Sequence, residues 1–460
     1  MCYCEAKLCR LLRVKELSFY AVKTQIAGGS LLSVFVQAFK TPDLRKKLLF
    51  TLAIMALYRV GSHIPSPGVN YPNLQACLKN NEQNGLLDLV NLFSGGALLS
   101  LSVFAMGIMP YITASIIIQL MRVVIPRFED LHREGQAGKA KMTQYTRYLT
   151  IGLGVLQSVT IIYMARSGQL LQGCAPSKPI IPDESALNYL IMMITMTAGT
   201  GLIMWLAELI TENGIGNGMS LLIFTGIVAN MPAHLQSIGA SGGVWKVLVI
   251  IALVALITLA IVFVEQAQRR IPVQYAKRMV GRRTIGGSTT YIPMKINMSG
   301  VIPVIFAASL LAMPQMISRF GKPTAGWVKW INDNFQHDSL LYLICYALLV
   351  LGFAFFYTQI TFNPEEIADN MKKYGGFIPG IRAGAPTADY LHYVISRITT
   401  AGAIYLVVVA MVPIVALIPL KVTQMPFGGT TLLIMVGVGL QTVQQIDAQL
   451  QQHHYEGFLK

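Results

Sequence analysis

Ten runs of apolar residues punctuate this chain, and they fix the medium in which it folds. A helix crossing a bilayer needs about 20 mostly apolar residues, because ~30 Å of hydrocarbon is covered at ~1.5 Å per residue. The runs are Leu48–Ile64, Phe104–Ile125, Tyr148–Ala165, Leu187–Ile210, Met219–Asn230, Lys246–Val264, Ser299–Met313, Leu340–Thr361, Ile398–Pro419 and Thr430–Ile446. Those starting at Met219 and Ser299 are short for a span, which is tolerated where protein rather than lipid surrounds the helix. Composition agrees, since 12% of residues are charged against roughly 25% in soluble domains. The expected fold is an all-α membrane protein crossing the bilayer about ten times.

A net charge of +15 invites a nucleic-acid reading, but the distribution of charge answers a different question. Most of the 36 Lys and Arg residues fall in 1–47, 122–147, 265–298 and 361–397, all on one side if the spans alternate. Short loops rich in Lys and Arg stay in the cytoplasm, so both termini are expected there. Ionisable residues within spans mark ion or proton pathways, and here they are few. Arg59 near the outer end of the first span reads as a snorkelling side chain, and Glu208 and Glu265 lie near cytoplasmic ends. The six cysteines show no metal-ligand spacing. Cys77 and Cys174 both fall in predicted outer loops, which leaves a disulfide between them open. No signal-peptide pattern precedes the first span, and residues 1–34 read as an extension outside the core.

The chain repeats itself. Gly107–Ala114 matches Gly300–Ala307 at Gly, Pro, Ile and Ala, and Gly218–Gly226 matches Gly429–Gly437 more closely still. The first pair joins spans two and seven, the second spans five and ten. Five is odd, so the second half is expected to run through the membrane opposite to the first, as in many transport folds. This divides the chain into residues 35–230, residues 231–446 and a cytoplasmic tail, 447–460. Ile112 then corresponds to Ile305, and Ile223 to Ile434. Facing one another near the midplane, they would form a constriction that stays dry and blocks ions; alternatively, they are ordinary core isoleucines. Pro110 and Pro303, equivalent in the repeat, are expected to permit kinks or movement in their helices. Before span two, the apolar stretch at 86–98 is too short to span, and reads as a re-entrant half-helix that acts as a stopper.

The segments Phe93-Ser-Gly-Gly-Ala-Leu98 and Ala105–Gln119, with Thr41–Lys47, Gly214–Gly218, Arg269–Arg278, Asn297–Pro303, Pro379–Arg382, Phe427–Thr430 and His454–Lys460, are long and specific. Together they closely resemble SecY, the pore subunit of the bacterial Sec protein translocation channel, over roughly residues 35 to 460. The resemblance implies two five-helix halves closing like a clamshell around an hourglass pore. It implies a pore ring of Ile108, Ile112, Met219, Ile223, Ile305 and Ile434, with Met219 in place of the usual isoleucine. It implies a plug around Asp88, Asn91, Phe93, Ser94, Gly95 and Gly96. A lateral gate between spans two and three and spans seven and eight would include Pro110, Gln119, Pro303 and Ser309. The basic loops would dock a ribosome, through rRNA phosphate, or the SecA motor ATPase, with Lys277, Arg278, Arg282, Arg283 and Arg382 as contacts. Such residues also serve simply to hold a loop in the cytoplasm. Ala383 and Asn213 depart from the family's usual proline and arginine. SecE and SecG are the implied complex subunits, a secretory polypeptide the cargo, membrane lipids the surroundings, and the bacterial plasma membrane the location.

Two other function classes compete. An ion-coupled transporter predicts polar or charged groups at the midplane, where this chain has aliphatic ones. A membrane enzyme predicts a motif such as Gly-x-x-x-x-Gly-Lys-Ser/Thr or His-Glu-x-x-His, and neither occurs. The chain is therefore expected to be a channel without cofactor or metal, driven by a partner or by the membrane potential.

Overall fold

The computed structural model describes residues 38–80, 94–166, 180–182, 185–275, 278–280, 283–285, 289–318, 326–335, 339–417 and 428–458. The first helices are α1 (Pro42–His63), α2 (Tyr71–Asn80), α3 (Met109–Val124), α4 (Pro126–Arg133), α5 (Gln136–Arg166), α6 (Ala186–Asn213) and α7 (Gly218–Gln266). Strands β1 (Gln268–Tyr275), β2 (Arg278–Val280), β3 (Arg283–Ile285) and β4 (Thr289–Lys295) follow. Next come α8 (Ile302–Ser318), α9 (Gly326–Asn334), α10 (Leu340–Thr361), α11 (Pro364–Lys373), β5 (Gly376–Phe377), α12 (Ala385–Leu417) and α13 (Gly429–Phe458).

Local chemistry sets several of the helix starts. Pro42 sits in the first turn of α1, where no ladder hydrogen bond is lost, with Asp43 beside it at the positive end of the helix dipole. Asn217 Oδ1 accepts from Met219 N at 3.1 Å, capping α7. Ser339 Oγ accepts from Tyr342 N at the start of α10. In α11, Asn363 caps the helix, Glu365 and Glu366 occupy the first turn, and Lys372 and Lys373 the last.

Five described segments are long and apolar enough to cross a membrane: Gln136–Arg166, Ala186–Asn213, Val247–Gln266, Leu340–Lys373 and Ala385–Pro413. Met109–Val124, Gly218–Ala233 and Ile302–Leu311 are shorter apolar helices. Of Val247–Gln266 only 17% is buried, with Leu256 and Leu259 among its exposed side chains. Such a surface suits lipid rather than water. The predicted spans at Met219 and Lys246 share α7, yet they are separate limbs. A side chain at Gly239 would meet Val247 Cγ2 at 3.6 Å, whereas eight residues of straight helix extend about 12 Å. The chain reverses between them.

The predicted second run begins too early, because helix α3 starts only at Met109. Residues 94–108 form turns held by the neighbouring segment, with Ser66 N donating to Leu101 O and Val103 N to Ile64 O. Among the described residues α13 runs unbroken from Gly429 to Phe458, so the segment expected as the tail continues that helix. The all-α expectation also needs correction. The segment predicted as one basic loop is a β1–β4 antiparallel ladder, and β5, from the other basic loop, pairs with β1. Ile271 and Val273 are buried there with Met294, Ile378, Leu391 and Val394, so the two loops share one small core.

The sequence repeat recurs in the geometry. Gly107 and Gly300 both adopt positive φ, 55° and 63°, two residues before α3 and α8, a conformation that glycine adopts without steric cost. Gly218 and Gly429 each open a helix, and a Cβ at either would run into a backbone carbonyl, that of Ala207 or of Ala410.

Candidate functional site

One apolar cluster is assembled from α1, α3, α6, α7 and α13. Ile108, Ile112, Ile223 and Ile434 are buried within it, and Met219 and Ile305 pack against it. Ile108 is the residue immediately before α3, and Ile112 lies one turn on. The cap at Asn217 places Met219 in the first turn of α7, with Ile223 four residues further along the same face. On α13, Ile434 and Val438 face this cluster while Leu432, Leu433 and Val436 face the second cluster, around α8, α10 and α12. One helix thus joins the two cores.

Beside the cluster lies the turn that starts at Ser94. Ser94 is fully buried, and its Oγ accepts from Leu98 N. Tyr58, a member of the cluster, donates its hydroxyl to Ser94 O at 3.3 Å. Arg59 Nη1 donates to Gly95 O at 2.6 Å. Gly95 and Gly96 have φ of 69° and 88°, and a side chain at Gly95 would crowd Gly226 Cα and Arg59. The snorkelling expectation for Arg59 is therefore replaced by an inward contact: a guanidinium satisfies a carbonyl that lies outside any helix or strand ladder. Asp88, Asn91 and Phe93 lie outside the described residues, as does Cys174.

Helices α3 and α8 are in contact, which brings the two members of the first repeat pair together. Pro110 and Pro303 are buried at the second positions of these helices. There an N–H has no ladder partner to lose, so neither proline removes a hydrogen bond from its helix. Gln119 Nε2 donates to Ser115 Oγ at 3.5 Å, and Ser309 Oγ donates to Ile305 O at 2.9 Å. Both bonds stay within their own helices. A polar cluster anchors the start of α8: Asn297 Nδ2 donates to Glu265 Oε1 at 2.6 Å and to Gly300 O at 3.1 Å, while Ser299 Oγ donates to Asn297 Oδ1. Glu208, also expected near a helix end, forms a bidentate pair with Arg147 of α5.

Of the basic contact residues, Arg278 and Arg283 lie on the β2–β3 hairpin, Arg278 opposite Ile285 and Arg283 opposite Val280. Lys277 and Arg282 are outside the described residues. Arg382 is exposed in the loop before α12, where its carbonyl accepts from Thr387 Oγ1. Among the described residues no group of three or more His, Cys, Asp or Glu is gathered as a metal site would require.

The model of the SecY family matches residues 102–443. The chain belongs to the SecY family. This SecY-family chain is 58% identical, over 437 residues, to the protein translocase subunit SecY of Streptomyces scabiei, covering 94% of this chain and all of that one. A solved structure described as that of a protein conducting channel shares the fold at a TM-score of 0.61 and 19% identity, covering 87% of this chain and 91% of the other. Sec61 in a canine ribosome-channel complex from the endoplasmic reticulum aligns at a TM-score of 0.57 and 18% identity, with the same coverages. The SecY-family fold therefore accounts for the helices, while Arg59, Asn297 and the shared β-sheet are features that no apolar run announced.

Proposed function

We infer that this chain is the channel subunit of a protein translocase, conducting unfolded secretory polypeptide across a membrane and releasing membrane-protein segments sideways into it. Family membership and the translocase subunit of Streptomyces scabiei support the translocation function. One observation carries the finer reading. Six aliphatic side chains from both members of each repeat pair gather on a single apolar cluster, beside a turn held by Tyr58 and Arg59.

On this reading ten helices form two inverted five-helix halves, closing as a clamshell around an hourglass pore. Ile108, Ile112, Met219, Ile223, Ile305 and Ile434 form its neck, dry at rest and yielding to a chain. Residues 86–98 form the plug, and Ser94, Gly95 and Gly96 anchor its end. The α3–α8 contact is the lateral gate, with Pro110, Gln119, Pro303 and Ser309 along it. The sheet-bearing loops at 265–298 and 361–397 face the cytoplasm of a bacterium, as do both termini. Their arginines and lysines meet a SecA-type motor or the rRNA of a ribosome, and SecE- and SecG-type subunits complete the complex. The chain conducts, and its partners or the membrane potential supply the energy.

The experiment is a secretory chain stalled in transit, with photo-crosslinkers at Ile112, Ile305 and Ile434. Crosslinks from all three to the stalled chain are expected. Failure to crosslink, with uptake of small solutes by vesicles holding this protein alone, would return the transporter reading.

A further inference from the structure

All four tryptophans of the chain, Trp205, Trp245, Trp327 and Trp330, are exposed, the least of them at 49%. Tryptophan is highly buried on average in water-soluble folds, so a complete set on the surface points to a surface that water does not cover. Trp205 and Trp245 each stand near an end of an apolar run, the level at which indole rings collect in membranes. Trp327 and Trp330 lie in no such run. They sit on α9, a short helix between the apolar helices α8 and α10 that rests against both.

Helix α9 has three faces. At ~100° per residue, Trp327 and Trp330 point about 60° apart, while Val328 and Lys329 point about 130° to either side of that pair. Val328 is 3% exposed and marks the side turned to the protein. Lys329 is exposed. One face therefore packs, one carries a charge that needs water, and one presents two half-exposed indoles. A helix in water needs only two faces; a helix lying along a membrane boundary against a protein wall needs three.

Hydrogen bonds fix where this helix sits. Asn334 Nδ2 donates to Trp330 O at 2.9 Å, Ser339 Oγ donates to Asn334 O, and the same Oγ accepts from Tyr342 N in the first turn of α10. The Trp330 ring lies 6.1 Å from that of Phe335, which packs on the second apolar cluster. Helix α9 is thus tied to the start of α10, where an exposed stripe of Leu340, Ile344 and Leu348 begins. That stripe, spaced i, i+4, i+8 on one face, suits hydrocarbon. The helix tied to its first residue stands where hydrocarbon gives way to glycerol and headgroups.

We propose that α9 lies in the lipid interface of the leaflet opposite the basic loops, with Trp327 and Trp330 seated at the ester level and Lys329 in the water above. Each indole lays its ring on acyl methylenes and turns its N–H to an ester oxygen or to water. Through this contact the lipid holds the adjoining ends of α8 and α10 at a fixed depth. The proposal rests on the chain spanning a bilayer and is independent of how the pore works.

The test uses the full chain in its assembled translocase, in vesicles of phosphatidylethanolamine and phosphatidylglycerol. Two photoreactive phospholipids are compared, one with its diazirine beside the ester and one with it at the acyl end. Label on Trp327 and Trp330 is expected severalfold more strongly from the first, with the preference reversed at Leu348, about 12 Å along α10 from Leu340. A water-soluble amine reagent present on both sides should modify Lys329. Trp327→Gln with Trp330→Gln should lower the ester-level label on residues 326–331 about tenfold, because most of the apolar surface given to lipid is lost. Trp327→Tyr with Trp330→Tyr, which keeps amphipathic rings, should retain it. The comparison of the two lipids on the unaltered chain needs no variant to fold. Equal label from the two lipids, no label from either, or label unchanged by the glutamine pair overturns the proposal. So does label that appears only once the partner subunits are removed, since a protein would then cover this face.

Discussion

Arg59 Nη1 lies 2.6 Å from the carbonyl oxygen of Gly95, tying the first apolar helix to the turn at the end of the proposed plug. Tyr58, the preceding residue, binds the adjacent carbonyl of Ser94. Two consecutive side chains thus hold two consecutive carbonyls, and the turn has little freedom while both bonds stand. Hydrogen bonds from a charged donor contribute about 1.5–3 kcal/mol.

Arg59→Ala is therefore expected to raise the population with the turn released by roughly 10- to 100-fold. Single-channel recording in planar bilayers should show openings without any polypeptide substrate, at least tenfold more frequent than in the unaltered channel. Tyr58→Phe removes the longer bond to a neutral donor and should act in the same direction, more weakly. Unchanged resting conductance in Arg59→Ala would mean that the contact only packs the turn.

Ile434 tests the dry neck. It is 1% exposed in a cluster fed by both repeat pairs, and aliphatic constrictions exclude ions by excluding water. Ile434→Asn places a hydrogen-bonding group at the centre, so chloride conductance should appear at rest while the protein still inserts. Met219→Ile, another bulky apolar residue, should leave conductance unchanged. A tight seal in Ile434→Asn would point to an ordinary core position.

How much of this was legible in the sequence depends on the kind of interaction. Leu340–Thr361 is a helix with those bounds because its signal is local: an uninterrupted apolar run. The repeat pairs Ile112 with Ile305 and Ile223 with Ile434 across 193 and 211 positions without any structure, and the four side chains share one apolar cluster. The β1–β5 pairing was not legible, because its two strands come from loops a hundred residues apart. One trace of β1 was readable, the alternation of Ile271, Val273 and Tyr275 at period two. Arg59 was misread for a deeper reason. Its partner is a backbone carbonyl, and no side-chain pattern records where a backbone carbonyl will lie.

Close packing beside the same turn gives a stability test. Phe104 stacks on Tyr58, ring centroids 6.0 Å apart and 12° from parallel, and its ring occupies the space where a Cβ on Gly61 would go. Gly61→Ala should therefore destabilise by about 1–3 kcal/mol through overpacking, visible as a lower melting temperature in detergent. Adding Phe104→Leu frees that space, so the double variant should be more stable than the two single losses sum to. Strict additivity would place the two residues out of contact.

Asn297 carries the last expectation. It is 4% exposed, and its amide nitrogen donates to both Glu265 and Gly300 O, joining the end of α7 to the bend that starts α8. Asn297→Ala leaves the Glu265 carboxylate without that donor and should cost about 1–3 kcal/mol. Asn297→Asp changes the same atom from donor to acceptor and sets two carboxylates face to face. At neutral pH it should be the less stable of the two variants. Acid reverses the order: once either carboxyl is protonated it can donate to the other, so Asn297→Asp gains on Asn297→Ala as pH falls. Melting curves of both variants from neutral to acid pH measure this directly. Parallel curves would show that Glu265 is not held by Asn297. Crossing curves, with polypeptide transit lost in step with stability, would identify this bond as what fixes the base of α8 against α7.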